Sequence, residues 1–281
     1  MMKIAYLILA HSAPQQLARL TGRLQHPTAD CFIHIDRKVS QAPFEAAFSG
    51  THVRFVQRRE KVYWGAYSIV QATINGIREI LDSRTQYTHI CLLSGQDYPL
   101  WPAERIVSFF LNRQEQSFLR FLSVEHEWQE AMPRLRQYHL TNYRIPGRYR
   151  LQKILNQLLP VRQMPYGLVL VGRSQWFTLA TPAAQYVLDY LDTHRAVRRF
   201  FKLTWAPDEL LFQTVLYNSR FRERLVNDDL RYVDWSEGKP SPRTLTMEDA
   251  GKLTASGKIF ARKFDMQRHP EILDYLDFHT L

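Results

Sequence analysis

The run KIAYLILAH, residues 3–11, constrains the fold more than any other stretch. It is apolar almost without interruption and then stops at polar residues. A strand reads that way when both faces of its sheet are covered, as in a parallel sheet between helices. The next segments agree with such a sheet. SAPQQLARLTGRL has Ser12 as an N-cap, Pro14 in the first turn, and Leu17, Leu20 and Leu24 at helical spacing. CFIHID (31–36) and VRFV (53–56) read as further strands, and AYSIVQATINGIREILDS (66–83) as a helix with isoleucines on one side. YTHICLLS (87–94) is a fourth strand, PAERIVSFFLNR (102–113) a helix opened by Pro102, and SFLRFL (117–122) a fifth strand. Strand and helix in alternation predict an α/β fold with a mixed, mostly parallel sheet flanked by helices.

The second half is less regular. Residues 123–165 are basic and aromatic. LVLVGRSQWFTLA (168–180) reads as a hairpin region, and 181–194 as a helix with Thr181 as N-cap and Pro182 first inside it. A strand is expected over 230–235, a capping box from Thr246 to Asp249, a short strand over 258–264 and a closing helix over 269–278. No repeat, low-complexity tract or linker divides the 281 residues, so a single domain is expected.

The first residues, MMKIAYLILAHSAPQQ, raise the question of a signal peptide. The apolar run is short, His11 and Pro14 come at once after it, and no small-residue cleavage site is present, so a first strand fits better. No run approaches the roughly 20 apolar residues that a membrane span needs. Cys31 and Cys91 both lie in strand-like runs, which predicts buried free thiols and a cytoplasmic setting. The net charge of +10 suits an anionic partner: nucleic acid, a lipid surface or a phosphorylated small molecule.

Ligands of an α/β sheet sit at the carboxyl ends of its strands. Here those ends read Ala10-His11-Ser12, Asp36-Arg37-Lys38 and SGQDYPL (94–100). Three polar strand ends beside basic runs point to a nucleotide pocket. The usual phosphate loops are absent, since neither G-x-G-x-x-G nor G-x-x-x-x-G-K-[ST] occurs. No two aspartates are two residues apart either, which removes the Asp-x-Asp pair that commonly holds a metal on a nucleotide-sugar diphosphate. The nearest approximation, Glu125-His126-Glu127, lies in irregular surroundings. A diphosphate would then need cationic side chains, and the tail offers Arg243, Arg262 and Lys263.

The segment TWAPDELLFQTVL (204–216) places Asp208 and Glu209 behind a tryptophan and a proline, before an apolar helix. Acidic residues in a first turn answer the helix dipole. The sharper reading is that one of the two carboxylates is a base held rigidly at a pocket mouth.

Taken in order along nearly the whole chain, CFIHID, VYWGAYSIVQA, LLSGQDYPL, WFTL, WAPDELLFQT and PRTLTMEDAGKLTASGKIFARKFD resemble the core-2/I-branching N-acetylglucosaminyltransferases, glycosyltransferase family 14, which includes the peptide O-xylosyltransferases. The resemblance implies an inverting transferase on a GT-A fold that works without a metal or other cofactor. By position it implies Glu209 as catalytic base and Lys263, with Arg243, on the diphosphate. It places nucleotide-sugar contacts on Ala10, His11, Asp36, Arg37, Lys38, Trp64 and Asp97. The acceptor contacts expected are Glu127, Arg136, Trp205 and Asp208. On this reading residues 1–122 form the nucleotide-sugar half and 123–281 the acceptor and catalytic half. The partners implied are a UDP-sugar, with N-acetylglucosamine first and xylose as the rival, and a glycan or glycolipid acceptor. Peripheral contact with the inner face of an anionic membrane is expected, and nucleic acid is not. A basic nucleic-acid-binding α/β protein is the alternative of a different class, on the Arg and Tyr of 134–153. A carbohydrate-binding relic is a third, against which the intact PDE and FARKF stand. The chain departs from the animal members in lacking an anchor and their many cysteines, and its 123–165 segment does not match theirs.

Overall fold

In the computed structural model, which describes residues 2–48 and 53–279, the apolar runs become the strands their composition calls for. The strands are β1 (Lys3–Ala10), β2 (Ala29–Ile35), β3 (Val53–Phe55), β4 (Tyr87–Ser94), β5 (Asp97–Pro99), β6 (Ser117–Ser123), β7 (Val171–Ala180), β8 (Leu225–Val226), β9 (Arg231–Val233) and β10 (Phe260–Arg262). The chain divides into two compact units. One comprises Met1–Gln57, Ser83–Gln114 and Leu230–Leu281, and the other Arg58–Asp82 and Glu115–Asp229.

In the first unit β3, β2, β1 and β4 lie side by side in that order, all parallel. Every residue of β4 is buried, as are six of the eight in β1, so neither face of these strands meets water. The helix Ala103–Leu111 packs on β1 and β4. A second, small sheet sets β10 antiparallel to β5 and parallel to β9. Cys31 and Cys91 are both buried, and neither forms a disulfide among the described residues. Both stand in register with Tyr6, one on each side of β1, so their backbones are two strand spacings apart, about 9–10 Å and beyond a disulfide's reach.

In the second unit β6 pairs antiparallel with β7 and parallel with β8. The helices Tyr67–Asp82, Thr181–Thr193 and Leu211–Tyr217 supply its apolar interior. The α/β class, with mixed and mostly parallel strand pairing and flanking helices, is as expected. Among the described residues no helix is long and apolar enough to cross a membrane.

Local expectations fail where one residue decides a cap. Ser12 does not cap the first helix, Pro14–Arg23. Ala13 takes the cap position with φ 53°, and no side chain closes it. Ala180 takes the cap of Thr181–Thr193, leaving Thr181 just inside. Residues 168–180 form no hairpin. They run into the single ten-residue strand β7, because Gly172 continues the strand and does not turn it. The helix expected to open at Pro207 is interrupted. Pro207–Glu209 is a separate 3₁₀ turn, and the α-helix begins at Leu211 after Leu210, whose φ of −129° and ψ of −41° are neither extended nor helical.

Candidate active site

In the second unit, the separate turn decides what Glu209 can do. Ala206 enters it with φ 49°, a left-handed conformation that costs a non-glycine residue energy. Its N–H is held by the Gly65 carbonyl at 2.9 Å. Gly65 is itself at φ 67°, and a Cβ there would lie 2.6 Å from the Trp205 indole nitrogen. On another side, β7 runs under the turn at Gly172. A Cβ on Gly172 would collide with the Glu209 carbonyl oxygen and come within 2.9 Å of the Leu210 Cα. Two glycines thus let two strips of backbone close on the turn. The helix Leu211–Tyr217 fixes it further, with six of seven residues buried.

The two carboxylates of this turn live in different worlds. Glu209 is part-exposed, and its Oε2 accepts a hydrogen bond from Arg134 at 2.6 Å. Its Oε1 has no partner among the described residues. The Arg134 guanidinium is held over two indoles, 4.4 Å from the Trp205 ring centre and 5.0 Å from that of Trp128. Asp208 is buried, and its Oδ1 finds no hydrogen bond. Burial first, and the neighbouring Glu209 charge second, push its carboxyl up to about 7, against the pull of a backbone hydrogen bond and Arg134. Neither acidic side chain caps a helix.

Trp64 is 67% exposed and meets Trp205 edge-on at 5.4 Å between ring centres, so it is not a core residue. Glu127 closes its own turn, accepting from the Ser123 N–H at 2.8 Å. Arg136 is exposed two residues beyond Arg134 on the short helix Met132–Arg136. A spacing of two turns the chain about 200° around a helix, which separates them. Arg134, the one that reaches Glu209, was not singled out by sequence. The nearby signal was PRLRQ, whose two arginines sequence alone does not rank.

In the first unit the strand ends converge as expected. The Asp36 N–H bonds to the Ala10 carbonyl at 2.9 Å, and the Gly95 N–H to that of Leu9 at 3.0 Å. Asp36 is buried and turns the chain by accepting from the Lys38 N–H at 2.9 Å, with the Lys38 ammonium at 3.3 Å. His11, Arg37 and Lys38 are exposed around it, while Ala10 is buried.

Asp97 is placed otherwise than a ligand contact requires. It has no exposed surface. Its oxygens accept from the Ser94 N–H at 3.1 Å and the Ser94 hydroxyl at 3.0 Å, and face Arg231 at 3.7 Å and Arg262 at 3.6 Å. It orders the β4–β5 turn from inside and positions other groups.

Arg243 is occupied by carboxylates. It donates to Asp234 at 2.7 Å and to Asp249. The Asp249 bond, then that of Asp234, hold the guanidinium well above its ordinary value. Hydrogen bonds from Ser236, then Arg243, hold Asp234 well below the usual carboxylate range. Asp249 also accepts from the Thr246 N–H at 2.9 Å, which is one arm of the expected capping box. Lys263 differs: its ammonium donates to the Ser241 hydroxyl at 2.9 Å, and no described carboxylate lies within ion-pair reach. Strand β10 ends at Arg262, so strand alternation does not extend to Lys263, yet the two side chains do go to different partners, Asp97 and Ser241. Asp234, Arg231 and Ser241 are partners that sequence reasoning passed over, and Asp249 was expected only in the capping box.

A family model described as Core-2/I-Branching enzyme matches residues 4–255. Among curated proteins, the chain is similar to Xylosyltransferase 2 of Rattus norvegicus, 27% identical over 307 residues, covering 99% of this chain and 34% of that protein. Xylosyltransferase 2 of Homo sapiens is 27% identical over 305 residues, with 99% and 33% covered. Xylosyltransferase 1 of Homo sapiens is 23% identical over 305 residues, with 99% and 30% covered. The chain therefore spans about a third of the length of the curated relatives it matches. A solved structure described as 4-diphosphocytidyl-2C-methyl-D-erythritol synthase is similar at a TM-score of 0.35 and 13% identity, covering 66% of this chain and 79% of that one, too slight a likeness to carry an argument.

Proposed function

Because this chain belongs to the Core-2/I-Branching enzyme family, we propose that it transfers a sugar from a UDP-sugar to a hydroxyl of a glycan or glycolipid, with inversion and without a metal ion. One observation carries the reading: Glu209 keeps Oε1 open while Arg134 fixes Oε2, on a turn pinned by Gly65 and by the strand at Gly172. A base must be in reach of the proton and must not swing. The acceptor hydroxyl gives its proton to Oε1, and its oxygen lone pair forms the bond to the anomeric carbon. The carbon–oxygen bond to UDP breaks on the opposite face, and the electron pair leaves with UDP. One carboxylate suffices for this single displacement, as in the base half of inverting glycoside hydrolysis.

The charge that grows on the diphosphate needs cations. Of the described tail cations Arg243, Arg262 and Lys263, Lys263 is the one whose side chain meets a hydroxyl and no carboxylate. Arg243, answered by two carboxylates, acts by positioning its segment. Trp64 and Trp205 offer apolar ring faces suited to a sugar.

N-acetylglucosamine is the first donor reading. Xylose is the second, favoured by the names of the relatives. The nucleic-acid alternative has the net charge and the Arg–Tyr run 134–153 in its favour, and no recognised motif. The test is a transfer assay with each UDP-sugar, in EDTA, with wild type and Glu209→Gln. UDP-sugar turnover by the wild type, lost in the variant, is expected. Equal turnover by both would remove Glu209 as base.

A further inference from the structure

Between Glu130 and Asp189 the sequence holds no acidic residue at all, while it holds seven arginines and one lysine. The same stretch collects exposed apolar side chains. Ten of the fifteen exposed large hydrophobics among the described residues fall within 143–169. Their centre is the helix Arg148–Leu158, none of whose residues is buried.

This helix is mounted with its polar side inward. Gln152 accepts from the Leu140 N–H at 2.9 Å, and Asn156 accepts from the Tyr138 N–H at 2.7 Å and donates to the Tyr138 carbonyl at 3.0 Å. Those two positions share one side of the helix. Leu151, Ile154 and Leu158 recur on a side nearly opposite and are exposed, Leu158 to 77%. Leu159 and Val161 continue the apolar surface past the helix end, and Tyr149 precedes it. Arg150 and Lys153 flank it, exposed. An ordinary surface helix buries its apolar side and shows its polar side to water. Here the hydrogen bonds to residues 138 and 140 hold the reverse.

We propose that the helix Arg148–Leu158 and the adjoining Leu159–Val161 dock on an anionic phospholipid surface. An apolar face set into the acyl boundary, with Arg and Lys at headgroup level and no carboxylate within the segment itself, is the arrangement such a surface selects. Long Arg and Lys stems lie along apolar surface while their charges stay in water. The inference stands on this segment alone and does not depend on which sugar is transferred, or whether one is.

The test is co-sedimentation of the full chain with vesicles of phosphatidylcholine, with and without phosphatidylglycerol, and no donor sugar present. Wild type should sediment with the phosphatidylglycerol vesicles and be released by high salt. The chain carrying Leu151→Gln, Ile154→Gln and Leu158→Gln should bind roughly tenfold or more weakly. It should melt as the wild type does, because the three side chains are already exposed. Wild type that stays in the supernatant, or a triple variant that sediments equally well, overturns the proposal. So does a wild-type dimer that the triple variant dissolves without any vesicle binding, which would make the occupant a second copy of this chain.

Discussion

The turn that carries Glu209 and the segment that carries Arg243 are both organised around arginine, and they use it in opposite senses. At the turn, one guanidinium meets one carboxylate oxygen and leaves the other oxygen open. At the segment, one guanidinium meets two carboxylates, and the neighbouring lysine is the group left with unspent charge. An ion pair is thus a poor guide to function until its stoichiometry is known. A charged group with all its partners inside the protein builds structure, and one with a vacancy can act on something else.

The contrast is broken most sharply at Glu209. Glu209→Gln preserves shape and removes the base, so transfer should fall by roughly 10²–10⁴, with UDP affinity and melting temperature close to wild type. Single-turnover transfer, UDP titration and a melt measure all three; an unimpaired rate sinks the assignment. At Lys263, replacement by Ala should weaken UDP binding by about 1.5–3 kcal/mol and leave the melting temperature unmoved. Arg243→Ala should do the reverse. Asp249, almost fully buried, loses its partner, and a stability cost on the order of 1–3 kcal/mol is expected, with a smaller change in UDP affinity than at Lys263. If the two variants exchange these signatures, the division between saturated and available cations is wrong.

Asp208 sharpens the comparison through pH. Its folded-state value of about 7 lies above the ordinary one near 4, so between those limits the unfolded chain has lost a proton that the folded chain keeps. Folding stability from this group is therefore lost as pH rises from about 4 to 7. Asp208→Asn should flatten that slope and stabilise the chain by on the order of 1 kcal/mol at pH 8, read from denaturant melts across the range. A slope unchanged in the variant would mean that another group carries it. The smallest effect is expected from EDTA, which should leave transfer at its starting rate. Activity that vanishes and returns with Mn²⁺ would direct attention to Glu125 and Glu127.

Strands were legible because burial on both faces leaves a run that only a covered strand explains, and β4 begins and ends where YTHICLLS does. The Pro207–Glu209 turn left a mark in the sequence, an acidic pair set between a proline and an apolar run. The features that escaped are long-range. Arg134 lies 75 residues from Glu209, and nothing in PRLRQ says which arginine turns inward. The saturation of Arg243 needed Asp234 and Asp249 to be brought to it. Asp97 looked like a strand-end ligand because sequence shows the polar letter and not the two arginines that enclose it. Residues 168–180 read as a hairpin region but form one strand, in which Gly172 makes room for the backbone of Glu209 and Leu210.

That glycine has a consequence for mutational tolerance. Gly172 does not sit at a positive φ, so no rule of backbone conformation demands glycine there. Yet the space where a methyl group would go is filled by main-chain atoms of Glu209 and Leu210, which cannot rotate out of the way as a side chain could. In a saturation library at 172, selection for activity should return glycine and almost nothing else, with alanine as poor as larger residues. Second-site suppressors should then appear at Ala206 or Leu210, where the turn could shift to accept the intruder, and not at the neighbours of Gly172 in β7.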